Sequence, residues 1–230
     1  MRSAKATRAS FGDAIVKLGE KYPEIVVLEA DLGKSTQSYK FGEKFPDRYF
    51  EMGIAEANMI GTGAGLAFSG KSVYICSFSC FVTGRYDIIR MSLAYPKANV
   101  KIIGTHAGIA IGEDGNSQQG LEDISIMRSL PNMSVIQPAD DIEAEQVIEY
   151  SVKHEGPLFI RLTRQKLESV NSESYQFKYG KGVVLKDGKD LTIFATGGLV
   201  YNSLQVAYHL EREGIDARVV NIHTISESFC

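Results

Sequence analysis

Short runs of β-branched residues alternate with amphipathic stretches along most of this chain, and that alternation restricts the fold more than any other feature. Ile25-Val-Val-Leu28 and Val100-Lys-Ile-Ile103 are runs that do not alternate with polar residues. A strand can do without a polar face only when both of its faces are covered. Between such runs, Phe11, Ala14, Ile15 and Leu18 recur at helical spacing within residues 7–22. The same reading gives helices near residues 55–68, 85–94, 121–130 and 140–154, and strands near 73–76, 133–136 and 158–162. The expected fold is therefore α/β, with a mostly parallel sheet and helices on both faces. Ligands of such sheets bind beyond the carboxyl ends of the strands. Asp31, Ser77 to Phe81, His106 and Arg164 all fall just after expected strands.

The pattern lapses between residues 166 and 182, which reads as a linker after a first domain at 1–165. Val183-Val-Leu and Leu191-Thr-Ile-Phe194 flank Lys186-Asp-Gly-Lys-Asp190, which reads as a hairpin turning at Asp-Gly. A helix near 200–213 and a strand near 217–222 follow. One such unit cannot cover both faces of its own sheet, so residues 183–230 are expected to be a truncated second domain. Its ending, His223-Thr-Ile-Ser-Glu-Ser-Phe-Cys230, is part of that expectation.

Composition narrows the function classes. The formal charge of −3 leaves no electrostatic footprint for nucleic acid or an anionic membrane. No apolar run is long enough to span a bilayer, and no apolar segment follows the first residues, so neither a membrane partner nor a secretory leader is expected. The three cysteines, Cys76, Cys80 and Cys230, form no metal spacing and no even framework, which favours a reducing, cytoplasmic setting.

Two motifs carry chemistry. The first is Arg48-Tyr-Phe-Glu-Met-Gly-Ile-Ala-Glu56, followed by Ser77-Phe-Ser-Cys-Phe81. It puts a carboxylate at the start of a helix and two rings at the end of the next strand. Taken alone, Glu56 reads as a dipole-stabilised helix start, and Phe78 and Phe81 as core. The helix behind Glu56 carries Gly61, Ala64, Gly65 and Phe68 on one stripe, which would let another backbone approach closely. Each glycine costs about 1 kcal/mol of helix stability relative to alanine. Its Gly-x-Gly-x-Gly spacing lies inside the helix and is a poor dinucleotide loop. The second motif is the loop Thr105-His106-Ala-Gly-Ile-Ala-Ile-Gly-Glu-Asp114-Gly-Asn-Ser-Gln118.

Together these segments resemble the pyrimidine-binding domain of the transketolase family, thiamine diphosphate enzymes that move a two-carbon ketol unit between sugar phosphates. The resemblance runs from about residue 5 to 222. It implies that Glu56 bonds N1′ of the aminopyrimidine ring, with Phe78 and Phe81 packed against that ring and Asp31 near the thiazolium. A carboxylate in an apolar pocket is suited to sharing a proton with a ring nitrogen. It further implies that Arg8, Ser35, His106 and Arg164 bind the substrate phosphate, which suits the planar fork of a guanidinium. Asp114 would read the donor hydroxyl. Without the resemblance, Asp31 reads as a turn residue, the arginines as surface charges and His106 as a structural histidine. Gln118 stands where many members carry histidine; it can donate a hydrogen bond but cannot act as an acid or base.

The family's Gly-Asp-Gly…Asn motif for Mg²⁺ is missing, since Gly112-Glu-Asp-Gly115 belongs to the substrate loop. The resemblance thus implies half a site. Mg²⁺ would be held mainly by a diphosphate-binding partner subunit or domain, in a homodimer or heterotetramer. Another thiamine enzyme, such as 1-deoxy-D-xylulose-5-phosphate synthase, and a non-catalytic interaction module are the alternatives. Cys80 reads as a small packed residue rather than a nucleophile.

Overall fold

The structure is a computed structural model that describes residues 3–226; the final Glu227 to Cys230 of the expected truncated end lie outside the described residues. A short strand β1 (Lys5–Ala6) leads directly into α1 (Thr7–Lys21), then β2 (Ile25–Glu29), two short helices α2 (Gly33–Thr36) and α3 (Tyr39–Lys44), and β3 (Tyr49–Glu51). Next come α4 (Glu56–Phe68), β4 (Ser72–Phe78), α5 (Ser79–Thr83), α6 (Tyr86–Ile89) and β5 (Val100–Thr105). The first unit continues through α7 (Asp123–Arg128), β6 (Ser134–Ile136), α8 (Asp141–Ser151) and β7 (Leu158–Arg161). After β8 (Lys166–Leu167), a second unit holds β9 (Val183–Lys186), β10 (Leu191–Ala195), α9 (Leu199–Arg212) and β11 (Ala217–Asn221), and β12 (Thr224–Ser226) returns to the first unit.

The main sheet runs β12-β6-β7-β5-β4-β2-β3, parallel except for the edge strand β12. Alternate residues of each central strand serve different cores, because side chains along a strand point to opposite faces. Val26, Leu28, Val73 and Ile75 pack with Met59 and Ile60 of α4 and Met127 of α7. Ile25, Val27, Tyr74 and Cys76 pack on the other face with Phe11, Ile15 and Leu18 of α1 and Val147 of α8. This two-sided cover is what the unbroken apolar runs predict, and the expected α/β fold is the observed one.

Several local expectations need correction. The helix expected over 85–94 is α6 followed by a wide π-type turn, Arg90–Ala94, and α5 was not foreseen because Ser-Cys-Phe-Val-Thr has no helical signature. On α4 the buried residues are Glu56, Met59, Ile60, Gly63 and Ala64. Gly63 is the close-approach glycine, since a Cβ there would lie 3.0 Å from Ile75 Cγ2, whereas nothing lies within 4 Å of such an atom at Gly61 or Gly65. Of the expected stripe, Gly61, Gly65 and Phe68 face outward, with Phe68 63% exposed, while Ala64 is buried in the core.

The expected hairpin is also wrong. β9 and β10 do not pair with each other; β11 inserts between them, parallel to β10 and antiparallel to β9. The Asp187-Gly188 turn crosses the start of β11 so closely that a Cβ on Gly188 would sit 2.4 Å from the Ala217 carbonyl carbon. The turn thus spans a gap one strand wide. α9 covers one face of this small sheet through Ala207 and Leu204 on Ala217, Val219 and Ile193. Val184 and Phe194, which flank Val220 in the cross-strand register, remain 56% and 70% exposed on the other face.

The segment read as a linker is strapped along α8. β8 pairs with β1, and the Asp140 carboxylate at the start of α8 accepts from Glu143 N and from Val170 N, Asn171 N and Asn171 Nδ2. Glu143 accepts from Tyr175 Oη (2.5 Å), Ala139 N (2.7 Å) and Asn221 Nδ2 (3.0 Å). One buried carboxylate thus joins helix, strap and second sheet. Burial pushes its pKa up, against the pull of Tyr175, Ala139 and Asn221.

At the end of β2, Glu29 accepts from Thr36 Oγ1 (2.6 Å), Ser38 Oγ and Ala30 N (3.0 Å). It fixes the loop after the strand. Burial pushes Glu29 up to about 7 despite those donors, with Glu51 adding repulsion.

Two stability predictions follow from these carboxylates. Glu143→Ala leaves three donors, two of them buried, without an acceptor and should cost roughly 3 kcal/mol in urea unfolding, with Glu143→Gln costing less. Because the folded state raises Glu29, its favourable contribution is complete below about pH 4.5 and lost as pH rises through about 7. Relative to Glu29→Gln, the wild-type chain should lose on the order of 3 kcal/mol of unfolding free energy between pH 4.5 and 8; parallel pH profiles would refute this.

Candidate active site

The chain leaves β2 for β3 on one side and then crosses to β4 on the other, so strand order reverses at β2. Such a reversal opens a crevice at the carboxyl ends of the strands. β4 passes into α5 with no intervening loop. Phe78 is the residue before the helix and Phe81 lies three further on, so both rings share a face. They stack with centroids 5.6 Å apart and planes 12° apart. His106 stacks on Phe78 at 3.9 Å. Phe78 is only 6% exposed, while Phe81 is half-buried and presents the freer surface.

His106 follows β5 in a left-handed conformation, φ 55°, which costs a non-glycine residue about 1 kcal/mol or more. Two contacts hold it there. Arg8 Nη1 donates to Nε2 at 3.0 Å, and Nδ1 meets Thr105 Oγ1 at 2.9 Å. A guanidinium only donates, so Nε2 is the acceptor and Nδ1 carries the proton. Burial, then Arg8, then Arg164 push the His106 pKa down to about 3, so the ring is neutral at physiological pH. Arg8 also donates to the Ser35 carbonyl at 2.6 Å; it is the backbone of Ser35, not its hydroxyl, that meets the arginine.

Residues 8 and 164 reach one place because the start of α1 is joined to the segment after β7. Thr163 N donates to Thr7 Oγ1 at 2.8 Å, and Arg8 N to the Thr163 carbonyl at 3.4 Å. Arg164 donates to the Ile111 carbonyl and, at 2.5 Å, to the Glu113 carboxylate. Gly112 makes room for it: a Cβ there would be 2.6 Å from Arg164 Nη1. Burial, then Arg164, push the Arg8 pKa down, and Asp114 opposes them. Asp114 is exposed and acts on Arg8 through its field. The Gln118 side chain accepts from Ser117 Oγ, and its backbone N–H donates to the Gly115 carbonyl at 3.3 Å.

Asp31 also adopts a left-handed conformation, φ 60°. Its N–H donates to Glu51 Oε1 at 2.7 Å, and the same oxygen accepts from Gly53 N at 3.0 Å. Glu51 thereby ties the turn after β2 to the turn before α4, and so places Asp31 relative to Glu56. Asp31, Ser35 and Glu51 line an open cavity of about 350 Å³. Glu56 begins α4, is 6% exposed, and its carboxylate accepts no hydrogen bond among the described residues. α4 packs against α5, the helix that bears Phe81. Glu29 and Glu51 were not legible in the sequence: their partners lie between 1 and 20 residues away and form no local motif. Cys80 is pushed up to about 11 by burial, so its thiol stays protonated and is a poor nucleophile.

These residues fit an aminopyrimidine ring. A carboxylate without a protein donor can take one from a ring nitrogen, and a half-buried phenyl face on the adjacent helix suits a flat heterocycle. Among the described residues no cluster of His, Cys, Asp and Glu could hold a metal ion, and no helix is long and apolar enough to cross a membrane.

Comparison with known proteins gives the family. Residues 3–169 match the transketolase pyrimidine-binding domain and residues 180–227 the transketolase C-terminal domain. A Methanocaldococcus jannaschii protein provisionally named a transketolase C-terminal section is 48% identical over 96% of this chain and 71% of its own length. Human transketolase is 36% identical over 96% of the chain, which spans only 36% of that enzyme. A solved split-gene transketolase, in an inactive β4 tetramer, superposes with a TM-score of 0.88 at 46% identity, covering 96% of this chain and 72% of that one. The chain belongs to the transketolase family, as a segment that carries the pyrimidine-binding domain and C-terminal-domain sequence.

Proposed function

We infer that this chain supplies the pyrimidine half of a thiamine diphosphate-dependent transketolase site and is active only with a diphosphate-binding partner subunit or domain. The observation that carries the reading is the donor-free buried Glu56, on a helix packed against the one that bears Phe81, with two arginines close by in the same crevice. Relatives at 38% and 35% identity are named as transketolase subunits, one from Clostridium sp. for 6-deoxy-6-sulfo-D-fructose and one from Phocaeicola vulgatus for apulose 4-phosphate.

Bound thiamine diphosphate would supply the carbon nucleophile that accepts and passes on a two-carbon ketol unit. Glu56 holds a proton at N1′ of the aminopyrimidine. Phe81, backed by Phe78, gives that ring an apolar wall and keeps water from it. Asp31 borders the thiazolium side. Arg8 and Arg164 provide two positive charges for the terminal phosphate of a sugar, and neutral His106 adds a polar contact without a third charge. Ser35 lines the same subsite, Asp114 selects the donor hydroxyl, and Gln118 orients the acceptor by hydrogen bonding. Mg²⁺ belongs mainly to the partner half. The working assembly is a homodimer or heterotetramer, and the setting is cytoplasmic.

Two experiments test this. Ketol transfer from xylulose 5-phosphate to ribose 5-phosphate should require the partner half, thiamine diphosphate and Mg²⁺, and Glu56→Gln should lower it by at least about 10²-fold. Near-normal turnover of that variant removes Glu56 from the mechanism, and inactivity of every wild-type assembly favours a non-catalytic module. Arg8→Ala and Arg164→Ala should each raise KM for the phosphorylated acceptor by roughly tenfold to a hundredfold, the worth of one charge-assisted hydrogen bond, with a smaller change in kcat.

A further inference from the structure

We propose that Asp123 is a positioning residue that sets the aromatic wall and the substrate loop together, an inference that rests on the function proposed above. Asp123 is fully buried at the start of α7. Its Oδ2 accepts from Ser79 Oγ at 2.5 Å and from Arg161 Nε at 2.8 Å, and its Oδ1 accepts from Ile124 N at 2.8 Å. Ser79 is the first residue of α5, between the two stacked rings. Arg161 ends β7, and its Nη2 donates to the Gly120 carbonyl at 3.2 Å.

Gly120 closes the loop that begins at His106. Its carbonyl also accepts from Gly108 N at 3.0 Å, which pins the two ends of that loop to each other. The loop end presses on the first turn of α5: a Cβ on Gly120 would sit 3.2 Å from both Cys80 N and Ser79 Cβ. A Cβ on Gly104 of β5 would lie 3.2 Å from Ser79 Oγ and 2.5 Å from Phe159. Ser79 is therefore held from three sides, and a single carboxylate decides where it sits.

A buried ion pair is a poor device for stability, because apolar residues of equal volume often do as well. It is a good device for geometry, because a bonded carboxylate accepts along defined directions. Here it adds directed bonds to two elements that otherwise meet through packing alone, Gly120 on the first turn of α5 and His106 on Phe78. Movement at Asp123 shifts Phe78 and Phe81 on one side and His106, through the loop closure, on the other. Asp123 touches neither ring nor substrate; it acts through Ser79 and Gly120.

The test uses Asp123→Asn, which keeps the shape, and Ser79→Ala, which removes one donor and leaves the ion pair. In the assembled holoenzyme each folded variant should weaken thiamine diphosphate binding, and Asp123→Asn should also raise KM for ribose 5-phosphate, both by about tenfold, with kcat at saturation reduced less than about threefold. A purely structural residue would lower the melting temperature and leave those two constants within twofold of wild type, which overturns the proposal. Hydrogen exchange on the full chain needs neither cofactor nor partner: the Gly108 amide should exchange at least about tenfold faster in Asp123→Asn, and unchanged exchange also overturns it. If wild-type assemblies bind no thiamine diphosphate, the proposed function fails, and the exchange result still decides whether Asp123 holds the loop.

Discussion

The reversal of strand order at β2 is the constraint on which the rest of this structure depends. A parallel sheet covered on both faces has its backbone hydrogen bonds satisfied internally, so reactive groups can gather only at its ends. The sheet departs from β2 in both directions, and the helices that follow β2 and β4 therefore separate instead of closing over the strand ends. Asp31, Phe78 and His106 stand at the ends of three neighbouring strands for that reason. Arg8 and Arg164 join them because β1 and β8 tie the two ends of the first unit together. Residues far apart in the chain converge on the crevice without any long loop reaching into it.

Carboxylates do most of the fixing around that crevice. Glu29 holds the loop after β2, Glu51 links the turns before Asp31 and Glu56, and Glu143 binds the strap and the second sheet to α8. Each accepts from backbone N–H groups or hydroxyls that the turns leave unpaired. Burial raises Glu29 and Glu143, so these acids hold their positions at an energetic cost near neutral pH. Buried polar groups that are fully bonded specify one arrangement among several of similar hydrophobic energy. The left-handed conformations of Asp31 and His106 persist because such bonds over-determine the backbone around them.

Periodicity made the first unit legible. The positions of α1, β2, β4 and β5 follow from local patterns, since burial on a helix stripe or on both faces of a strand leaves its mark within a few residues. Glu56, the phenylalanine pair and the Thr105-His106 loop were legible for a different reason: their spacing is shared with a known family. Glu29, Glu51 and Asp123 carry no local mark, because the partners that give them their roles, Thr36 and Ser38, Asp31, and Ser79 and Arg161, sit on other elements at no fixed spacing. The hairpin misreading has the same cause. Asp-Gly does make a turn between β9 and β10, yet their common partner β11 comes about thirty residues later, and a turn motif says nothing about what will fill the gap. The π-type turn after α6 was equally hidden, because apolar spacing in Ile-Arg-Met-Ser-Leu suits an ordinary helix.

The outward face of α4 connects the sequence to the half-site reading. Gly61 and Gly65 have nothing within 4 Å of where a side chain would begin, and Ile54 and Phe68 beside them are 84% and 63% exposed. Two exposed glycines in a helix cost it about 2 kcal/mol relative to alanine, with no return from packing inside this chain. Glu56 starts the same helix and has no donor of its own. A helix that sacrifices stability on one face, and starts on an acid with no protein donor, leaves both groups open to a partner. A diphosphate-binding half that delivered a cofactor ring to Glu56, and laid its own backbone along Gly61 and Gly65, would relieve both. On the proposed function, the exposed glycines and the carboxylate without a protein donor would then have one common cause, a partner half laid against this face.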